Sequence, residues 1–139
     1  MSEQSENVSI LRRAYETWAG KKAAELDCWA SILADDARLT SLADGSASVP
    51  FTRSRSGRSE VIEYLEALTR DWEMIFYRID EYVAERDRVV AIGSTSWKNK
   101  LTSKTVTTPK IDVWRMRNGK AVEFSEFYDT AQLYAAAEP

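Results

Sequence analysis

At 139 residues and 15.8 kDa the chain has the size of one domain with a real core, and too little sequence for a second. Apolar residues (44%) and charged residues (29%) stand in an ordinary globular balance, which excludes an intrinsically disordered or membrane-embedded chain. Its 19 basic residues against 22 acidic ones leave a net charge of −3, so nucleic acid and anionic membranes are not expected partners.

The opening Met1-Ser2-Glu3-Gln4-Ser5-Glu6 is acidic and lacks the apolar run of a secretory signal. Cys28 is the one cysteine, so no internal disulfide is expected, and a reducing cytoplasm suits the chain. From Val8 to Ala19, the residues Ile10, Leu11, Ala14, Tyr15 and Trp18 recur at helical spacing while Arg12, Arg13 and Glu16 fall off the stripe, which predicts a first helix. Gly20 and Lys21-Lys22 break it. A second stripe of Ala23, Leu26, Trp29, Ala30 and Leu33 predicts a helix running to Ala34 and ended by Asp35-Asp36. Cys28, beside Trp29, reads as a small buried hydrophobe.

Ala37 to Leu42 reads as a short strand, and Asp44-Gly45-Ser46 through Gly57 as a long loop. Arg53, Arg55 and Arg58 in this region are expected to be solvated, an anion at the next helix start being their other use. Arg58 or Ser59 opens a third helix with Val61, Ile62, Tyr64, Leu65 and Leu68 on its buried face. Four strands follow, at Met74–Ala84, Arg88–Lys98, Val106–Met116 and Ala121–Asp129. Helices followed by an antiparallel meander imply an α+β domain, with helices on one face of a curved sheet and a second subunit expected on the other. No repeat or linker interrupts the sequence, so residues 1–139 are expected to fold as one unit.

The absence of histidine removes Ser-His-Asp and Cys-His nucleophiles, His-rich zinc sites and imidazole acid–base catalysis. Any chemistry must run on carboxylates, Tyr, Lys, Ser or Cys28. Gly20-Lys21 lacks the earlier glycine of a P-loop, since Tyr15 stands there, and the five glycines form no dinucleotide fingerprint. No metal and no cofactor is expected.

Several segments together resemble one superfamily. Two helices lead through Ala34-Asp35-Asp36-Ala37 into a strand, Gly57-Arg58 leads a loop into a helix, and a meander closes with Trp114-Arg115-Met116-Arg117-Asn118-Gly119-Lys120. That order resembles the nuclear transport factor 2-like superfamily, and within it the SnoaL-like and ketosteroid isomerase-like branch. The resemblance covers nearly the whole length. It implies a cone-shaped α+β barrel of helices packed on a curved, mostly antiparallel sheet, with a pocket between them, often in a homodimer. Activities vary widely on this fold.

The segment Ile111-Asp112-Val113 followed by Arg115 is similar to the ketosteroid isomerase strand whose protonated Asp donates to an oxyanion. By the same resemblance Tyr15 falls at the oxyanion-hole tyrosine, while the family's general-base Asp falls on Ser41. Glu126 matches the last-strand acid of limonene-epoxide hydrolases, but their Arg-x-Asp falls on Gly93-Ser94-Thr95, so that triad is absent.

Along the last strand Val122, Phe124, Glu126 and Tyr128 share one face, apolar except for Glu126. Which face of the preceding strand meets them depends on the turn. A two-residue loop at Asn118-Gly119 puts Ile111 and Val113 beside Glu126 and turns Asp112 away. A three-residue loop at Arg117-Asn118-Gly119, with Gly119 left-handed at a bulge, sets Lys110 opposite Glu126 and Asp112 opposite Phe124. The second is favoured, because the superfamily's hairpins resemble it and because it gives buried charges partners.

Asp112 is then either an oxyanion donor or a carboxylate neutralised by Lys110 or Arg115, and Glu126 either a general base or the partner of Lys110; in a catalytic site, Glu126 or Asp112 would move the proton. Tyr15 is either a stabiliser of developing charge or a core tyrosine. Trp97, Trp114 and Trp18, with Lys110, Phe124, Tyr128 and Ser41, are expected to line an aromatic cavity, Trp72 to stand at its mouth, and Trp29 to serve packing. Two functions remain: a pocket that moves a proton next to a carbonyl, as an isomerase, dehydratase or cyclase, or a non-catalytic module that binds an apolar or aromatic small molecule or assembles as a dimer.

Overall fold

A computed structural model describes residues 2–139; Met1, from the acidic opening, lies outside the described residues. Helix α1 spans Glu3–Gly20, beginning at Glu3 instead of Val8. The Ser2 hydroxyl accepts the Ser5 N–H at 3.1 Å, and Glu3 and Glu6 occupy the first turn, where the helix dipole favours negative charge. The expected second helix from Ala23 to Ala34 reduces to α2, Asp27–Ala30. Lys22 and Ala23 take left-handed φ values of 48° and 63°, which break the helical path, and Leu33 already belongs to the first strand. The apolar stripe is nonetheless buried at Ala23, Trp29 and Leu33. Its spacing is met by a turn, a short helix and a strand end in succession.

Strand β1 covers Leu33–Ser41, so Asp35-Asp36 lies inside a strand instead of ending a helix. Pairing shifts between Leu33 and Arg38. The long loop holds a 3₁₀ turn at Pro50–Thr52 and returns as a short strand β2, Arg55–Ser56, beside Arg38 and Leu39. Gly57, at φ 93°, supplies the backbone that turns the chain into α3, Arg58–Asp71. The meander follows as β3 (Trp72–Glu85), β4 (Arg88–Asn99), β5 (Thr105–Arg117) and β6 (Lys120–Phe127). The last strand ends before Asp129, whose carboxylate accepts the Gln132 N–H at 3.1 Å and caps an additional helix α4, Thr130–Ala137.

The sheet order is β2-β1-β6-β5-β4-β3, antiparallel throughout except for the parallel pair β1–β6. This is the expected α+β class, with helices against one face of a sheet. The sheet is open, ending at β2 and β3, so helices complete the cone and strand pairing does not. No helix among the described residues is long and apolar enough to cross a membrane.

The β5–β6 turn differs from the favoured three-residue loop. Arg117 pairs directly with Lys120, and Asn118 and Gly119 take φ values of 51° and 77°, the two-residue turn whose twist matches the flanking strands. Met116 then faces Ala121 while Arg115 faces Glu123, leaving Val122 as the extra residue of a bulge. The bulge reverses the parity of the rest of β6. Asp112 lies opposite Glu126 and Trp114 opposite Phe124, and Val122 leaves the inward set. The three charges share one face, as expected, by a route the sequence reading did not contain.

A second constraint lies on β4, where Gly93 pairs with Ile79 beside the irregularity between Ile79 and Glu81. A Cβ on Gly93 would fall 1.8 Å from the Arg78 carbonyl oxygen. Gly93→Ala should therefore destabilise the protein by about 2–3 kcal/mol, read as a lower urea midpoint.

Candidate functional site

Alternation along β5 sends Lys110, Asp112 and Trp114 inward, with relative exposures of 7%, 1% and 4%. From β6, Glu126 is 6% exposed. The Lys110 ammonium stands between the acids, its Nζ 2.6 Å from Asp112 Oδ1 and 2.9 Å from Glu126 Oε1. Arg115, the other candidate neutraliser of Asp112, pairs instead with Asp87 and Glu123.

Three tyrosines from three elements complete the cluster. Tyr15 on α1 donates to Asp112 Oδ2 at 2.5 Å, and Tyr77 on β3 donates to the same oxygen at 2.7 Å. Tyr64 on α3 donates to Glu126 Oε2 at 2.5 Å. Lys110 also donates to the Tyr77 hydroxyl oxygen at 2.9 Å, and the Trp114 indole N–H donates to the Tyr15 oxygen at 2.9 Å. Burial of charge is tolerated because nearly every polar atom has a partner. Burial alone would lower the Lys110 pKa, but Asp112 and Glu126 outweigh it and hold the amine well above its usual value, as an ammonium. Tyr15, Tyr64 and Tyr77 are pushed well above the ordinary tyrosine range, chiefly by burial and next by the carboxylate each one faces. They are hydroxyl donors at neutral pH. Two carboxylates and one ammonium give the cluster a formal charge of −1.

The cluster lies on the wall of a cavity of about 110 Å³, several times the roughly 10–15 Å³ one water requires. Apart from the cluster its walls are largely aromatic and aliphatic. Of the residues expected to line it, Lys110, Trp18, Trp72, Trp97, Trp114, Phe124 and Tyr128 do so, together with Tyr15, Asp112 and Glu126. Ser41 does not; its hydroxyl lies 2.6 Å from that of Tyr128 and positions this wall residue from behind. Burial, followed by the charge of Glu126, pushes the Tyr128 hydroxyl up to about 12.

Trp72 is buried instead of standing at a mouth, because β3 begins two residues before the expected Met74. Trp29, expected as packing, also lines the cavity and stacks on Trp114 at 5.3 Å between centroids. Sequence reasoning missed Tyr77 and Leu133 on the wall and did not assign Tyr64 a polar role. Tyr64 was visible on the buried stripe of α3. Tyr77 was masked by irregular pairing in β3, which defeats parity counting.

The expectation of solvated arginines holds for the exposed Arg53 and needs correction at Arg55 and Arg58. Arg55 is buried and donates to the Phe51 carbonyl at 2.9 Å, while Arg58 donates to the Ala30 carbonyl at 2.8 Å. Both clamp backbone around the cavity's loop side, where Phe51 stacks against Tyr64. Cys28 is half-buried, and burial pushes its thiol up to about 11, leaving it unreactive.

Removing Lys110 would leave two facing buried carboxylates without their cation. Lys110→Met should cost about 3–5 kcal/mol in chemical denaturation, and the triple variant with Asp112→Asn and Glu126→Gln should recover most of that loss.

The family model described as SnoaL-like domain matches residues 11–124. No curated protein matches the chain. An NTF2-like protein of unknown function from Burkholderia pseudomallei is similar at a TM-score of 0.81 and 24% identity, over 100% of both chains. TerC, co-crystallised with polyporic acid, is similar at a TM-score of 0.78 and 19% identity, over 96% of this chain and 99% of its own. A protein with a ketosteroid isomerase-like fold from Catenulispora acidiphila, in complex with trimethylamine, is similar at a TM-score of 0.73 and 13% identity, over 92% of this chain and 91% of its own. At these identities the likeness is one of fold. The family model spans most of the sequence and the architecture agrees with it: this chain belongs to the SnoaL-like domain family.

Proposed function

We propose that residues 1–139 form one SnoaL-like unit that binds a small apolar or aromatic molecule and moves a proton next to a carbonyl without a cofactor, as an isomerase, dehydratase or cyclase. The observation that carries this reading is the pair of buried carboxylates, bridged by one lysine, on the wall of an otherwise aromatic cavity. Two proteins of similar fold were crystallised with small molecules, which supports a ligand in the cavity.

Glu126 is the base. A carboxylate offers about four acceptor positions, and besides the ion pair each makes with Lys110, Glu126 receives one hydrogen bond, from Tyr64, and Asp112 two, from Tyr15 and Tyr77. The C–H bond beside the substrate carbonyl breaks, its proton passes to Glu126, and the electron pair moves onto the carbonyl oxygen. Delivery of that proton to another carbon completes an isomerisation; its delivery to a β-hydroxyl, which leaves as water as the carbon–carbon double bond forms, completes a dehydration; attack of the carbanion on a second carbonyl of the same molecule, whose oxygen takes the proton, completes a cyclisation. Uptake of the proton lowers the negative charge beside Lys110, whose ammonium faces the developing enolate. Tyr15 contributes by turning its hydroxyl from Asp112 to that oxygen, and Asp112 holds both Tyr15 and Lys110 in place.

The rival reading is a non-catalytic binding pocket. It is favoured by the commitment of the hydroxyls of Tyr15, Tyr64 and Tyr77 to carboxylates, which leaves no preformed donor for an oxyanion within the cluster. A screen of aromatic and polycyclic carbonyl compounds by tryptophan fluorescence and product analysis separates the two. Glu126→Gln should retain binding within a few-fold and lose about 10²–10⁴ in turnover. Tight binding with no turnover across the screen would leave the pocket as a binding module.

We also propose a homodimer through the outer sheet face, in a reducing cytoplasm suited to the unpaired Cys28. Ile92, Ile111 and Phe127 lie side by side across β4, β5 and β6, and Ile111 and Phe127 are 39% and 43% exposed. Their neighbouring row is Val90, Val113 and Ser125, also uncharged. In sedimentation equilibrium Phe127→Lys should shift a dimer to a monomer, and a monomeric parent protein would sink the assembly.

A further inference from the structure

The hydrogen-bond donors of the buried cluster are all committed. Tyr15 and Tyr77 give their single hydroxyl protons to Asp112, and Tyr64 gives its proton to Glu126. The Lys110 ammonium faces Asp112, the Tyr77 oxygen and Glu126 at 2.6, 2.9 and 2.9 Å. The Trp114 N–H is received by Tyr15. What the cluster retains is acceptor capacity, greatest on Glu126, together with a formal charge of −1 in a cavity with little other polar surface. An uncompensated buried charge is costly, so the molecule that completes this wall is one that brings a hydrogen-bond donor and a positive charge.

The aromatic lining suits the same chemistry. Lys110 Nζ already lies 5.3 Å from the Tyr77 ring centroid and 5.6 Å from that of Phe124, so a cation at this wall meets aromatic rings as well as carboxylates.

We propose that the preferred occupant is a monocation, a protonated secondary or tertiary amine on a flat apolar body, with its N–H received by Glu126. The proposal rests on reading the cavity as a small-molecule site, and it names the class of molecule that site selects. A cationic nitrogen brings the cluster to neutrality, and the apolar body fills the tryptophan-lined space. An anion of the same shape meets the net negative charge and is rejected.

The test compares three probes of similar size by isothermal titration calorimetry at neutral pH: N,N-dimethylbenzylamine, which is protonated; N,N-dimethylbenzamide, a neutral acceptor; and phenylacetate, an anion. The amine should bind at least about tenfold more tightly than the amide, and phenylacetate most weakly. Glu126→Gln, which brings the cluster to zero formal charge, should abolish the preference for the amine while amide binding stays within a few-fold. If that variant does not fold, Asp112→Asn makes the same charge change and serves the same comparison. Equal or tighter binding of the amide or phenylacetate would overturn the cation assignment and leave the cavity reading standing. Retention of the preference in both variants would overturn the role of the cluster. Failure of all three probes, and of the aromatic carbonyl compounds, to bind would overturn the cation assignment and the cavity reading together.

Discussion

One ammonium held between two acids, away from water, sets the terms for the rest of this structure. Lys110, Asp112 and Glu126 come from adjacent strands, and their contacts exist only because β5 and β6 pair in one register. A slip of one residue would turn Glu126 outward, set Ser125 or Phe127 opposite Asp112, and take from Lys110 the second acid that it bridges. The two-residue turn and the bulge at Val122 are therefore part of the site, although neither touches it. Such a cluster is a poor source of stability, since desolvation of the charges offsets much of their attraction. Its place beside a cavity points to a role in what the cavity holds.

The surrounding elements converge on the same three side chains. Helix α1 delivers Tyr15, α3 delivers Tyr64 and β3 delivers Tyr77, so the helical layer is tied to the sheet by hydroxyl-to-carboxylate bonds as well as apolar packing. Stacked and edge-on contacts among Tyr15, Trp29 and Trp114 extend from one side of the cluster. The result is a wall whose polar part is fixed in orientation and whose apolar part is made of large rings. Preorganisation of this kind favours selection among small molecules by charge and shape.

How much of this was legible in the sequence follows from which features are local. The stripe of α1, the buried face of α3 and the alternation of β5 are set by neighbouring residues, and they placed Tyr15, Lys110 and Asp112 correctly on their elements. Two features were not local. The stretch after Gly20 has helical spacing, but left-handed Lys22 and Ala23 and the demands of β1 leave only Asp27–Ala30 helical. The parity of β6 depends on one extra residue, and no residue type at Val122 announces a bulge. The C-terminal helix did carry a signal in Asp129-Thr130 before an alanine-rich run, hidden because the preceding alternation seemed to continue through it.

The parallel pairing of β1 with β6 joins residues separated by most of the chain, and the final segment then returns to the same region. Tyr128 accepts the Ala43 N–H at 3.2 Å, the Tyr134 hydroxyl lies 3.0 Å from that of Ser46, and Leu133 forms part of the cavity wall. During synthesis β1 emerges long before β6, its neighbour in the sheet, and the cavity wall is incomplete until Leu133 of α4 has been made. The cavity therefore closes late in folding, and a chain that has not yet acquired β6 and α4 exposes an unpaired strand and an open apolar interior.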